Sequence, residues 1–289
     1  MTVDSKASRR QRLTQACLVA LALACGVWPG VGRAQDAEGS IELIDPNVFR
    51  ACADPRDLPF SNEAGEGFEN KIAALFASKL GKSLAYTFYP DSTGFIRKTL
   101  NAHRCDVVLG IAQGDDLVQP TSPYYRTGYA AAYRQDGPLK GLESLSDPRL
   151  KTARIGIVAG TPPATLLAEN GLLGRIKSYA LVVDTRYDSP THEMMDDLDR
   201  GDIDVALLWG PLAGYYAMKA KTPTAVVPLV KEQGNPPMVY RIVMGVRRSD
   251  QNWKRALNKL ISENQSEIQA ILRSYGVPLL DENDKPISP

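Results

Sequence analysis

The residues with the most chemical potential share one stretch, 50–80, RACADPRDLPFSNEAGEGFENKIAALFASKL. Asp54, Asn62, Glu63 and Glu66 lie there beside Leu58, Pro59 and Phe60. Carboxylates and an amide orient a polar ligand, while a Leu-Pro-Phe run offers an apolar wall, and small-molecule pockets combine both. The stretch reads as a buried strand, a Gly/Pro/Asn-rich loop and an amphipathic helix. Ligands of open α/β sheets bind at such strand ends. Aromatic groups recur beyond other strands, at Pro123-Tyr124-Tyr125 and Trp209-Gly210-Pro211, with Tyr215 and Tyr216 following. Tyr125 and Tyr216 fit a cleft wall and core packing equally well. Arg186, after a strand, fits either a cleft group or a structural ion pair.

Other chemistries lack their residues. His103 and His192 are the two histidines, and His192-Glu193-Met194-Met195-Asp196 has no second histidine to complete a zinc-helix motif. Asp115-Asp116 and Glu63/Glu66/Glu69 have no calcium-loop spacing and read as solvated faces. No Gly-x-Ser-x-Gly elbow or Cys/His partnership supports nucleophilic catalysis. Gly65-Glu66-Gly67 frees a loop turn rather than cradling a dinucleotide. No catalytic site, metal site or cofactor is assigned.

The first 34 residues read as a cleaved export signal. Arg9, Arg10 and Arg12 precede an apolar run from Leu13 to Val27, and Gly32-Arg33-Ala34 resembles a small-x-small cleavage site. The run is short for a membrane span, and no later run is apolar enough for one. The whole chain carries 34 basic and 33 acidic side chains. Cleavage removes Lys6, Arg9, Arg10, Arg12, Arg33 and Asp4, leaving 29 basic and 32 acidic, a net charge of −3. That balance argues against a nucleic-acid binder. Cys52 and Cys105 remain in an oxidising compartment. A bond between them would stabilise by about 4 kcal/mol in the chain-entropy model. If their strands are parallel neighbours, an offset of about four residues places the Cα atoms ~13 Å apart, too far to bridge. A disulfide and two buried thiols both remain open.

The elements that must position these groups repeat. Strands are expected over Val48–Ala53, Leu84–Tyr89 and Asp106–Ile111, with helices over Phe68–Leu80 and Gly94–Ala102. Phe68, Ile72, Leu75, Phe76 and Leu80 form one helical stripe, stopped at Gly81. The continuous apolar run DVVLGI suits a sheet buried on both faces. Tyr129–Tyr133 carries the chain out, and Gly137–Arg149 reads as a linker. A second βαβαβ half follows, with strands over Ile155–Val158, Leu181–Val183 and Ile203–Leu208. Its helices open at Thr161-Pro162-Pro163 and span Met194–Arg200. DVVLG at 106–110 answers DVALLWG at 204–210. Tyr240–Val246 returns, and helices over Trp253–Ile261 and Glu267–Tyr275 close the chain. The expected fold class is α/β: a two-lobed clamshell, with two doubly wound sheets joined by two crossing strands. Residues 41–134 with 239–289 form one lobe and residues 138–235 the other.

With those segments placed, the mature chain resembles the family-three solute-binding proteins, the type II periplasmic binding proteins. It is more closely similar to their MoxJ/XoxJ branch, which is associated with quinoprotein (methanol) dehydrogenases. The resemblance is carried by CADPRDLPFSNEAGEGFENKIA (52–73), GFIRKTLNAHRCDVVLG (94–110), PYYR (123–126), GTPPATLL (160–167), DTRYDSP (184–190), GDIDVALLWGPLAGYY (201–216) and YGVPLLD (275–281). It implies a periplasmic, non-enzymatic accessory protein that helps a pyrroloquinoline-quinone-dependent dehydrogenase reach its active form. The alternative is an importer's solute receptor, for a ligand other than a typical amino acid.

One departure bears on that choice. Amino-acid-binding relatives carry an Arg before the Pro-Tyr-Tyr motif to clamp the ligand carboxylate. Here the segment Gln113-Gly114-Asp115-Asp116-Leu117-Val118-Gln119 has none. The opposing helix begins with Pro162-Pro163, which offer no N–H groups to an anion. The expected cleft residues are Asp54, Leu58, Pro59, Phe60, Asn62, Gln113, Tyr125, Thr161, Arg186 and Trp209, facing a dehydrogenase segment or a small ligand.

Overall fold

The structure, a computed structural model, describes residues 42–180 and 189–287. The export segment, the strand expected over 181–183 and Arg186 lie outside them. Strand β1 (Val48–Ala53) leads into a loop with a two-rung hairpin, β2 (Arg56–Asp57) and β3 (Ser61–Asn62). Helix α1 (Phe68–Lys79) follows, then β4 (Ser83–Phe88), the short α2 (Phe95–Lys98) and β5 (Val107–Ala112). β1 is parallel to both β4 and β5, with Ala51 opposite Val107. The chain then forms β6 (Gln119–Pro120) and the long β7 (Tyr125–Arg134).

The second half repeats this plan. It contains β8 (Ile155–Val158), α3 (Pro162–Glu169), β9 (Ile176–Tyr179), α4 (Pro190–Arg200), β10 (Val205–Trp209) and α5 (Gly210–Lys219). β8 is parallel to β9 and β10. The chain ends through β11 (Thr224–Pro228), β12 (Val239–Val246), α6 (Gln251–Glu263) and α7 (Gln265–Ser274).

β7 belongs to both halves. Its first residues pair with β12, and its later ones with β10 and β11, all antiparallel. The two sheets thereby join in one hydrogen-bonded path, β4-β1-β5-β12-β7-β10-β8-β9. Alternation along β7 divides the second core: Ala130 and Ala132 face Met194 and Leu198, while Ala131 and Tyr133 face Leu142 and Leu167. Small residues let both layers approach this shared strand. The first core gathers Phe49, Phe68, Ile72, Phe76, Trp253 and Leu257.

Helix α1 shows why its sequence folds locally. Phe68, Ile72, Ala73, Phe76 and Ala77 are buried on one face. The Asn70 side-chain oxygen accepts the N–H of the N-cap Gly67 at 3.1 Å and the Asn62 N–H of β3 at 3.0 Å, which ties the hairpin to the helix start. Gly81 takes φ +64° at the stop.

Several expectations change. α2 has four residues, because Thr99 leaves helical geometry with its hydroxyl donating to the Phe95 carbonyl at 2.7 Å. The expected linker is anchored: Leu139, Leu142 and Leu145 are buried in the second core. β9, β11 and α5 did not stand out in the sequence. α5 opens with Gly210-Pro211, which reads as a turn unless a helix start is recognised.

The repeated Asp-Val motif has a structural meaning. Asp106, fully buried, accepts Arg50 Nε and Nη2 and Arg247 Nη2, each at 2.7 Å. In the second half Arg154 Nη2 donates to Asp204 at 2.6 Å. The Asp106 N–H bonds the Arg50 carbonyl and the Asp204 N–H the Arg154 carbonyl, each at 2.8 Å. Each aspartate fastens the start of one inner strand to its neighbour.

Candidate functional site

The C-terminal ends of β1 and β5 open on a cavity of about 210 Å³. Asp54, Asp57, Glu69 and Asp91 supply carboxylates to its lining, and Phe60, Phe95, Ile111 and Trp209 supply apolar surface. No lysine or arginine lines it among the described residues. Asp54 directly follows β1 and is buried. It accepts the Arg56 N–H at 2.7 Å and the Asp91 N–H at 2.6 Å, which ties the loop after β4 to the loop after β1. Asp57 comes from the short hairpin and Glu69 from the first turn of α1.

Glu69 reaches the cavity because position 110 is glycine. A Cβ there would overlap the Glu69 carboxylate, and Gly110 has φ +75°. The Gly110 N–H donates to the Tyr124 hydroxyl at 3.0 Å. Burial pushes the Asp57 carboxyl up to about 7, with Asp54 and Asp91 adding repulsion. Burial pushes Glu69 up to about 8, with Asp57 and Asp91 adding to it. Asp91 is raised by burial and by Asp54. Like charges confined together cannot all ionise cheaply, so the cavity retains protons near neutral pH. It repels anions and accepts neutral, hydrogen-bonding or cationic groups.

Of the expected cleft residues, Asp54, Phe60 and Trp209 meet at this cavity. Trp209 is held edge-on by Tyr129 and Tyr240, with ring centroids 5.3 and 5.6 Å away. Leu58 and Pro59 do not line it. Pro59 is buried, and its carbonyl accepts the Phe68 N–H at 2.8 Å. Asn62 shapes its own loop, donating to Glu66 Oε2 at 2.7 Å and accepting the Glu66 N–H at 2.8 Å. Gln113 is exposed, and its N–H donates to the Arg241 carbonyl at 2.9 Å. Tyr125 is core, edge-on to Tyr124 and Phe68. The Thr161 hydroxyl is spent on the Val158 carbonyl at 2.7 Å. Asp115 and Asp116 are exposed and do not line the cavity.

Cys52 and Cys105 form a disulfide with Cα atoms 5.5 Å apart. The register does place Cys52 opposite Val108. Cys105, however, precedes β5, and the chain bends at Arg104 and Asp106 before the first paired residue, Val107. The separation expected from continuous strands therefore does not apply. The bond lies beside the cavity, which Cys52 lines.

Sequence reasoning missed Asp57 and Asp91 and assigned Glu69 to a solvated face. The available signal was Gly110 at a strand end, a position that admits a side chain from elsewhere.

The family described as bacterial extracellular solute-binding protein matches residues 68–277. The crystal structure of periplasmic binding protein XoxJ from Methylobacterium extorquens is 42% identical, with a TM-score of 0.69, covering 81% of this chain and 100% of that one. The chain is a MoxJ/XoxJ-type member of this solute-binding family. The MoxJ/XoxJ-type assignment extends to Protein MoxJ of Methylorubrum extorquens, 28% identical over 92% of this chain and 93% of that protein. It extends also to the crystal structure of MxaJ from Methlophaga aminisulfidivorans, 27% identical with a TM-score of 0.68, covering 80% and 100%. The architecture of this MoxJ/XoxJ-type protein is thus the two-lobed clamshell of type II periplasmic binding proteins. Among its described residues no helix is long and apolar enough to cross a membrane.

Proposed function

We propose that this protein is a non-enzymatic periplasmic accessory factor that assists maturation or activation of a pyrroloquinoline-quinone-dependent methanol dehydrogenase. The observation that carries the reading is the cavity: carboxylates and aromatic rings stand at the strand ends, and no cation among the described lining residues grips a ligand carboxylate. A site so built disfavours amino acids, while the likeness to MoxJ and XoxJ directs it towards the dehydrogenase. Residues 41–134 with 239–289 serve as one lobe and 138–235 as the other. Asp54, Phe60 and Trp209, with Asp57, Glu69 and Asp91, form the wall offered to the partner segment. Residues 1–34 direct export and are removed.

The test is deletion of the gene followed by assay of dehydrogenase activity in periplasm. Activity should fall and return on complementation. Unchanged activity would sink the proposal.

A second reading, a receptor for a small solute, is favoured by the cavity's size and retained protons. Its ligand would be neutral or cationic. Thermal-shift screening decides: a metabolite that stabilises the protein at micromolar concentration supports a receptor.

A further inference from the structure

We propose that the segment Tyr275–Asp281 is a fixed strap that holds the two lobes at one angle, so that the cleft admits its occupant without hinge closure. The strap touches both halves, and at its closest approach, between Gly214 and Gly276, backbone meets backbone with no side chain to yield. In α5 of the second half, a Cβ on Gly214 would overlap the Gly276 carbonyl. Reciprocally, a Cβ on Gly276 would lie 2.7 Å from both the Gly214 carbonyl oxygen and Met218 Sδ. Gly276 also has φ +72°, which favours glycine. One turn earlier on α5, a Cβ on Gly210 would lie 2.8 Å from Pro278 Cγ and would overlap the Gly128 carbonyl of β7.

The same segment is bonded to the first half. The Thr127 hydroxyl donates to the Pro278 carbonyl at 2.8 Å, and the Leu280 N–H donates to the Arg126 carbonyl at 2.9 Å. Val277 and Leu279 are buried in the first core.

Rings continue the connection to the cleft loop. Tyr275 stacks on Tyr215 of α5, with centroids 6.3 Å apart and planes 19° apart. Phe68 meets Tyr275 edge-on at 5.8 Å and Phe60 edge-on at 5.2 Å. The Tyr275 hydroxyl donates to the Glu66 carbonyl. Phe60 and Trp209 thus reach the cavity from elements that the strap ties together. Hinge opening would have to unstack Tyr215 from Tyr275 and lift α5 off the Gly276 turn. Further closure would drive backbone into backbone. Close-packed contacts of this kind are not continuously deformable. The inference stands whichever occupant the cleft takes, so it can fail while the proposed function survives, and the reverse.

The test is a spin-label distance measurement between cysteines introduced by Lys71→Cys and Lys151→Cys, both at exposed positions. The protein should give one narrow distance, unchanged when a mixture of the proteinogenic amino acids is added. Gly214→Val should shift that distance to longer values. Tyr215→Ala, which inserts nothing and removes the stack, should broaden it; this variant serves if Gly214→Val does not fold. A broad or two-population distance in the unaltered protein overturns the proposal. So does a shift on adding amino acids, or an unchanged narrow distance in the folded variants.

Discussion

The Glu69 carboxylate rests against the backbone of Gly110, in the space where any other residue would carry its Cβ. That contact brings a carboxyl group from the first turn of α1 to the end of β5. Replacing Gly110 by alanine should displace Glu69. It should also destabilise the fold by about 1–2 kcal/mol, the cost of a left-handed conformation at a non-glycine residue. Urea unfolding measures the loss. Gly110→Ala combined with Glu69→Ala should retain the strain and relieve the overlap.

Asp57 and Glu69 make stability depend on pH in a particular direction. Their folded pKa values, about 7 and about 8, lie above those of the unfolded chain. In between, the folded state binds more protons. Their contribution is therefore fully present below pH ~4 and is lost as the pH rises through 7 and 8. Melting temperature should fall between pH about 5 and about 9, and Glu69→Gln should flatten the curve. A Glu69→Gln protein with the original pH dependence would refute the assignment.

The two inner-strand aspartates should differ in energetic weight. Asp106 is buried with Arg247, whose side chain is 5% exposed, whereas Arg154 beside Asp204 is 48% exposed. Asp106→Asn should cost about 3 kcal/mol, since it removes the buried carboxylate shared by Arg50 and Arg247 and leaves Arg247 with Asp250 as its remaining ion pair. Asp204→Asn should cost nearer ~1 kcal/mol. Chemical denaturation of the pair gives the comparison.

Cys52 and Cys105 are 53 residues apart in sequence. Serine at both positions should lower stability by about 4 kcal/mol in the chain-entropy model. Reductant should destabilise the native protein and leave the serine variant unaffected.

The cleft aromatics should matter for the partner more than for the fold. Phe60 and Trp209 are half-buried at the cavity. Trp209→Ala with Phe60→Ala should reduce the dehydrogenase recovered with the tagged protein by tenfold or more, as expected for anchors of ~2 kcal/mol or above. Circular dichroism should show the fold retained. Undiminished recovery would place the docking face elsewhere.

The sequence by itself determined the βαβαβ plan of the first half and β8, α3, α4 and β10 of the second, because apolar runs such as DVVLGI and glycine stops such as Gly81 are local signals. It located β1, β8 and α1 nearly to the residue and placed Asp54, Phe60 and Trp209 at strand ends. It also showed that the segment before the Pro-Tyr-Tyr motif carries no arginine, which weakens a carboxylate clamp there. Only the tertiary structure decided which carboxylates share a cavity. Asp57, Glu69 and Asp91 come from a hairpin, a helix and a loop, and their proximity depends on strand order and on Gly110. The same holds for the bond between Cys52 and Cys105, which rests on a bend before β5 that local pattern does not encode. It holds also for the approach of Gly214 to Gly276, two glycines whose meaning appears when distant backbones meet. Periodicity reports which face a residue turns to the core; it carries no information on which remote residue waits there.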